Sequence, residues 1–137
     1  MSEANVSSFP DLGSDLTGKI IGAAIDVHKE LGPGLLENVY ETCLCYELVE
    51  RGMGAQRQLA LPVHYKGREI EEGFRIDLLV DDEVLIELKS CENVLPIQRS
   101  QIITYMRFSK TSIGLLINFN KKVLKDGIQR FALAEHQ

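Results

Sequence analysis

Asp77 and the triplet Glu87-Leu88-Lys89 stand ten residues apart, and the chain between them has the pattern of one tight β-hairpin. Val80 and Val84 flank a short turn, Asp81-Asp82-Glu83. If Val80 pairs with Val84, the same centre pairs Asp77 with Glu87 and sets Arg75 opposite Lys89. Side chains alternate faces along a strand, so Arg75 and Asp77 share a face, as do Glu87 and Lys89. Directly opposed residues have Cβ atoms roughly 4.5–5.5 Å apart. Two carboxylates and an amine are thereby gathered on one face. Adjacent acids repel unless a cation lies between them, and a hard, oxygen-seeking ion such as Mg²⁺ suits such a pair. The same spacing also admits an ordinary exposed cross-strand charge cluster, because charged residues usually sit on solvated faces.

The elements that must position these groups follow from periodicity. Ile70, Phe74, Ile76, Leu78 and Val80, with Val84, Ile86 and Leu88, are expected mostly on the face opposite the acids, against the core. Residues 1–13 read as a flexible leader, and 14–137 as a single domain. A helix starts at Ser14 or Asp15, either of which can cap it, and carries Leu16, Ile20, Ala23, Ala24, Val27 and Leu31 at helical spacing. Gly32-Pro33-Gly34 ends it. A second helix over 35–51 stops at Gly52 and has the stripe Leu36, Tyr40, Cys43, Leu44 and Leu48. Glu37 projects within or beside that stripe, where a carboxylate needs a partner, a metal or an outlet to water. Glu47 projects there too, so position alone does not single out Glu37.

Strands are predicted over 58–65, with Pro62 marking a bulge or an edge, then over 69–80 and 84–91. Pro96 suits the first turn of a helix over 97–108, with Ile102, Ile103 and Met106 inward and Gln98, Gln101 and Tyr105 on another face. Ile113–Phe119 has the length and composition of a buried strand, and Ile128–Leu133 of a final edge element. The order ααβββαβ, then a tail, predicts a mixed central sheet flanked by helices.

Composition narrows the class. A chain of 137 residues, 45% hydrophobic and 26% charged, is one globular domain with room for a core. No apolar run reaches the ~18 residues of a membrane helix, and the N-terminus lacks the regions of a signal peptide. Cys43, Cys45 and Cys91 form no Cys-x-x-Cys pair, which favours reduced thiols in a cytoplasmic protein over a zinc site. His28 has no companion at ligand spacing and reads as structural. The net charge of −5 is unevenly spread: residues 1–87 hold 7 Lys+Arg and 17 Asp+Glu, residues 88–137 hold 8 and 3. An acidic part suited to metal and a basic part suited to phosphate fit a nuclease.

Asp77 followed by Glu87-Leu88-Lys89 has the form of the PD-(D/E)XK signature, with Ile76 where a Pro often stands. Gly34-Leu35-Leu36-Glu37-Asn38-Val39-Tyr40 matches Gly-x-x-Glu-x-x-Tyr, and Gln101-Ile102-Ile103-Thr104-Tyr105 matches the Gln-x-x-x-Tyr motif of RecB-like nucleases. The chain resembles the GxxExxY proteins of the PD-(D/E)XK nuclease superfamily over about residues 15–133. The resemblance implies an α/β (α+β mixed) fold with a restriction-endonuclease-like core and a Mg²⁺-dependent nuclease, with Mn²⁺ as a possible substitute. It assigns Glu37, Asp77 and Glu87 to metal, with the Leu88 carbonyl as a further ligand. The metal would activate a water and stabilise charge on the scissile phosphate. Lys89 acting as a base would have to give up its charge, which the adjacent acids oppose; orientation and charge stabilisation are the favoured roles. Gln101 and Tyr105, one helical turn apart, would position nucleic acid or the catalytic groups. Tyr40 either orients Glu37 or simply packs. The substrate implied is nucleic acid, DNA ahead of RNA, with no membrane partner. A domain this short leaves room for a homodimer or a protein partner in substrate choice. The competing reading is a non-catalytic nucleic-acid- or protein-binding module that retains the fold.

Overall fold

A computed structural model describes residues 4–8 and 15–134. In chain order the elements are β1 (Ala4–Ser8), α1 (Asp15–Leu31), α2 (Glu37–Glu50), β2 (Ala55–Tyr65), β3 (Arg68–Val80), β4 (Val84–Lys89), α3 (Pro96–Ser109), β5 (Ile113–Asn118) and β6 (Ile128–Leu133), with a 3-10 turn over Leu124–Gly127 before the last strand. The sheet order is β1-β6-β5-β4-β3-β2. Among the described residues only β4 and β5 pair in parallel, joined by the α3 crossover, and the other pairs are antiparallel. This is the mixed α/β sheet flanked by helices that the element order predicted. β1 pairs with β6, which therefore is not the sheet edge. Within the leader expected over 1–13, β1 accounts for Ala4–Ser8; the remainder, and the expected cap at Ser14, lie outside the described residues.

The sheet separates two hydrophobic layers. On one side Ile20, Ala24 and Val27 of α1 and Tyr40, Leu44 and Leu48 of α2 pack on Leu78, Val80, Val84, Ile86 and Leu88. On the other, Ile102 and Met106 of α3 pack on Ile76, Leu79, Leu85 and Leu116. β4 is therefore covered on both faces, which is why it reads as an almost unbroken apolar run. Placing a carboxylate in that strand buries it.

Local signals account for the boundaries. Gly32, at φ 72°, ends α1, and Gly52, at φ 86°, follows α2. The β2–β3 register shifts between Leu61 and Val63, around the predicted Pro62 bulge. Gly73 lies opposite that bulge, where any Cβ would collide with the Leu61 carbonyl. Asp81 and Asp82 take left-handed backbone in the β3–β4 turn, and the Asp81 carboxylate accepts the Gly54 N–H at 2.7 Å.

Two expectations need correction. Leu36 is 74% exposed rather than part of the α2 stripe, because it is the extended residue before the helix, at φ −73° and ψ 153°. Ile76 and Leu78 do not share a core face. Phe74 and Ile76 pack towards α3, whereas Leu78 and Val80 pack towards α1 and α2. Strict alternation fails at the residue between them, Asp77.

Candidate active site

Both ladders of β3 are interrupted at Asp77. Towards β4, pairing runs Val80↔Val84, Leu79↔Leu85, Leu78↔Ile86 and stops. Towards β2, Arg57 pairs with Leu78 and Leu59 with Ile76, while Gln58 between them has φ 50° and no ladder partner. β4 meanwhile stays on β5 as far as Lys89↔Asn118. β3 and β4 thus open into a fork. The predicted hairpin centre is correct, but the backbone pairs Asp77–Glu87 and Arg75–Lys89 are absent. Arg75 instead donates to the Gln58 carbonyl at 3.2 Å.

The two acids fill the fork reciprocally. The Asp77 N–H donates to Glu87 Oε1 at 3.2 Å, and the Leu88 N–H donates to Asp77 Oδ2 at 2.8 Å. Each carboxylate accepts an amide from the opposite strand, which satisfies backbone donors that the open ladder would otherwise strand. Glu87 is only 7% exposed and Asp77 is half-buried. Burial raises the Glu87 carboxyl to about 8, with the Asp77 charge as the second cause. Burial also raises Asp77; the Leu88 amide and Lys89 lower it, while Glu41 and Glu37 raise it. Lys89, half-buried, acts on both acids as the compensating cation.

Glu37 opens α2 and is exposed, so its stripe position resolves as an outlet to water. Its charge nonetheless reaches both Asp77 and Glu87. Tyr40 is fully buried. Its hydroxyl donates to the Gly32 carbonyl and accepts the Leu35 N–H, and its ring stacks on Phe119 at 4.4 Å. Those bonds hold the loop from which α2 starts, so Tyr40 fixes where Glu37 begins the helix rather than holding its carboxylate. Tyr105 stacks on Phe74 at 4.2 Å and has its hydroxyl pKa raised by burial and then by the charges of Glu87 and Asp77. Gln101 is exposed one turn earlier on α3. Leu88 is buried, with its amide on Asp77. His28 is structural, with Nε2 at 2.7 Å from the Lys121 carbonyl.

Sequence reasoning missed Glu41. It is 5% exposed, ion-paired with Arg57 at 3.1 Å and hydrogen-bonded by Gln58 Nε2 at 2.6 Å. The signal was present: Glu41, Leu44 and Leu48 stand at i, i+3 and i+7, so Glu41 belongs to the buried stripe.

Among the described residues, no three His, Cys, Asp or Glu side chains gather closely enough to hold an ion unaided. The donor set still fits a hard divalent cation. Mg²⁺ commonly takes one or two carboxylates and keeps several waters. Asp77 and Glu87 each accept one backbone amide and retain further lone pairs. A cation between them would offset the repulsion that burial intensifies.

An α/β core of this order, with an acid where one strand leaves the ladder and acid-x-Lys on the next, is the arrangement of a restriction-endonuclease-like domain. The chain belongs to the PD-(D/E)XK nuclease superfamily, whose family model matches residues 14–131. Enzymes of that superfamily generally use divalent metals. No curated protein and no solved structure matches the chain. No helix among the described residues is long and apolar enough to cross a membrane.

Proposed function

We propose that this protein is a divalent-metal-dependent nuclease hydrolysing phosphodiester bonds of nucleic acid, with Mg²⁺ as the resident ion and Mn²⁺ able to replace it. The observation that supports it best is the fork itself. A half-buried and a buried carboxylate, Asp77 and Glu87, sit where the backbone ladder opens, and a lysine stands two residues beyond the second. A purely structural fork could be closed by neutral amides without burying two acids side by side.

Asp77 and Glu87 would hold the ion, with Glu37 as an outer acid and the Leu88 carbonyl as a further oxygen. When bound, the ion supplies Lewis-acid stabilisation of phosphate charge and lowers the pKa of a water. Lys89 offsets charge on the phosphate and orients the attacking water. Tyr105 faces the same acids electrostatically from α3, and with Gln101 it positions the substrate strand. Tyr40 sets the start of α2 and so the reach of Glu37. Within the superfamily, the match of Gly34–Tyr40 to Gly-x-x-Glu-x-x-Tyr supports a reading as a GxxExxY protein, and that of Gln101–Tyr105 to Gln-x-x-x-Tyr supports a RecB-like element. DNA is the preferred substrate over RNA.

The test is cleavage of single- and double-stranded DNA and RNA with Mg²⁺ and with Mn²⁺. Lys89→Ala should keep the fold and most metal binding while losing about 10²–10³ in rate, the usual worth of a charge-stabilising group at such a centre. Cleavage that survives both Lys89→Ala and Glu87→Ala would belong to a contaminant. Binding without cleavage on every substrate would favour a non-catalytic module.

A further inference from the structure

Gln58 occupies a backbone conformation that its residue type disfavours. Its φ of 50° lies in the left-handed region, where a side chain crowds its own carbonyl and glycine, asparagine or aspartate is usual. It lies in the middle of β2, not in a turn. Such an outlier persists only where the surroundings over-determine it, and its position is a reason to look for function.

The surroundings are specific. The Gln58 carbonyl accepts from Arg75. Its side-chain Nε2 donates to Glu41 Oε1 at 2.6 Å and approaches Asp77 Oδ1 at 3.4 Å. One amide nitrogen therefore spans two carboxylates from different elements, α2 and β3. Glu41 is buried and pinned on its other oxygen by Arg57. The Glu41 end of the bridge is fixed, and the Asp77 end is the longer, weaker one. Asp77 is thus held from two sides: by the Leu88 amide on Oδ2 and by Gln58 on Oδ1.

We infer that Gln58 is a positioning residue for the Asp77 carboxylate, with Glu41 as its buried anchor. A neutral amide is the suitable chemistry. A lysine or arginine here would compete with an ion for Asp77, and a carboxylate would add a third repelling charge. An amide donates a hydrogen to each acid and leaves their charge available. The inference deepens the nuclease reading and rests on it for the role of Asp77.

Gln58→Gly and Gln58→Asn test it. Both residues accept left-handed backbone, glycine freely and asparagine better than most, and neither side chain can span the two acids. The fold should survive with a lowered melting temperature, because the buried Glu41 loses its amide donor; exchange is therefore read relative to ladder amides. The Leu88 amide reports the Asp77 carboxylate directly and needs no metal. In both variants it should exchange with solvent at least about tenfold faster relative to the β4–β5 ladder amides, as expected for weakening one bond to a charged acceptor. Mn²⁺ affinity by calorimetry should fall by about tenfold, the order expected when a ligand is no longer pre-oriented by its outer partner. Unchanged relative exchange of Leu88 in both variants overturns the inference. A wild-type protein that binds no Mn²⁺ defeats the nuclease reading instead, and Leu88 exchange still decides whether Gln58 holds Asp77.

Discussion

Replacing Glu87 by Gln should change the pH dependence of stability more than any other single substitution in the site. Gln keeps the size and the acceptor oxygen that takes the Asp77 N–H, and it removes the charge. In the folded protein the Glu87 carboxyl is raised from 4.5 to about 8, first by burial and second by the Asp77 charge. The native state therefore holds this proton more tightly than the unfolded chain does. Below about pH 4.5 the group is protonated in both states and costs nothing. As pH rises towards 8 the unfolded chain ionises freely while the native state resists, so stability is lost across that window. At about 1.4 kcal/mol per pH unit the loss is bounded at ~5 kcal/mol, and relaxation around the buried pair reduces it to a few. Urea unfolding of metal-free protein in a chelating buffer, at steps from pH 5 to 9, measures it. Wild type and Glu87→Gln should be similar at the acid end, and the variant should be more stable by a few kcal/mol at pH 9. A residual slope should remain in the variant, because burial also raises Asp77. Parallel curves would show that Glu87 is not held in an environment hostile to its charge, and the argument for a cation between the acids would fall with it.

Metal should offset that difference. Mg²⁺ or Mn²⁺ at about 100 times its Kd should stabilise the wild type by ~2.7 kcal/mol, seen as a rise in melting temperature that is absent in Asp77→Ala; an equal rise in both would place the ion elsewhere. Because the ion must displace the Glu87 proton, metal affinity should strengthen from pH 6 to pH 8, and calorimetry at pH 6 in buffers of different ionisation enthalpy should register proton release. Tyr40→Phe removes the hydroxyl that joins Gly32 to Leu35 and should cost about 1–3 kcal/mol by urea unfolding. A neutral result there would remove Tyr40 from the positioning of α2.

How much of this was legible depended on whether the signal was local. The hairpin centre, the helix stops at Gly32 and Gly52 and the Pro62 bulge follow from short-range turn chemistry, and they stand. The approach of Asp77 to Glu87 was legible for the same reason: pairing Val80 with Val84 aims the two strands so that these residues meet just past the last ladder pair, Leu78↔Ile86. Strict alternation then misplaced Ile76, because nothing in the residues around Asp77 announces that β3 parts from β4 there and skips one pair with β2. That departure is a tertiary event, produced by Gln58 in a left-handed conformation on one side and two carboxylates capping amides on the other. Glu41 was hidden differently. Its spacing to Leu44 and Leu48 marked it as buried, but only Arg57 and Gln58, on another element, explain how a carboxylate is tolerated there. A regular ladder would pair the Asp77 and Leu88 amides with backbone carbonyls. Opening it frees those amides for the Glu87 and Asp77 carboxylates. The break in periodicity and the candidate catalytic centre are thus one structural feature, and a strand obeying the alternation rule throughout could not have built it.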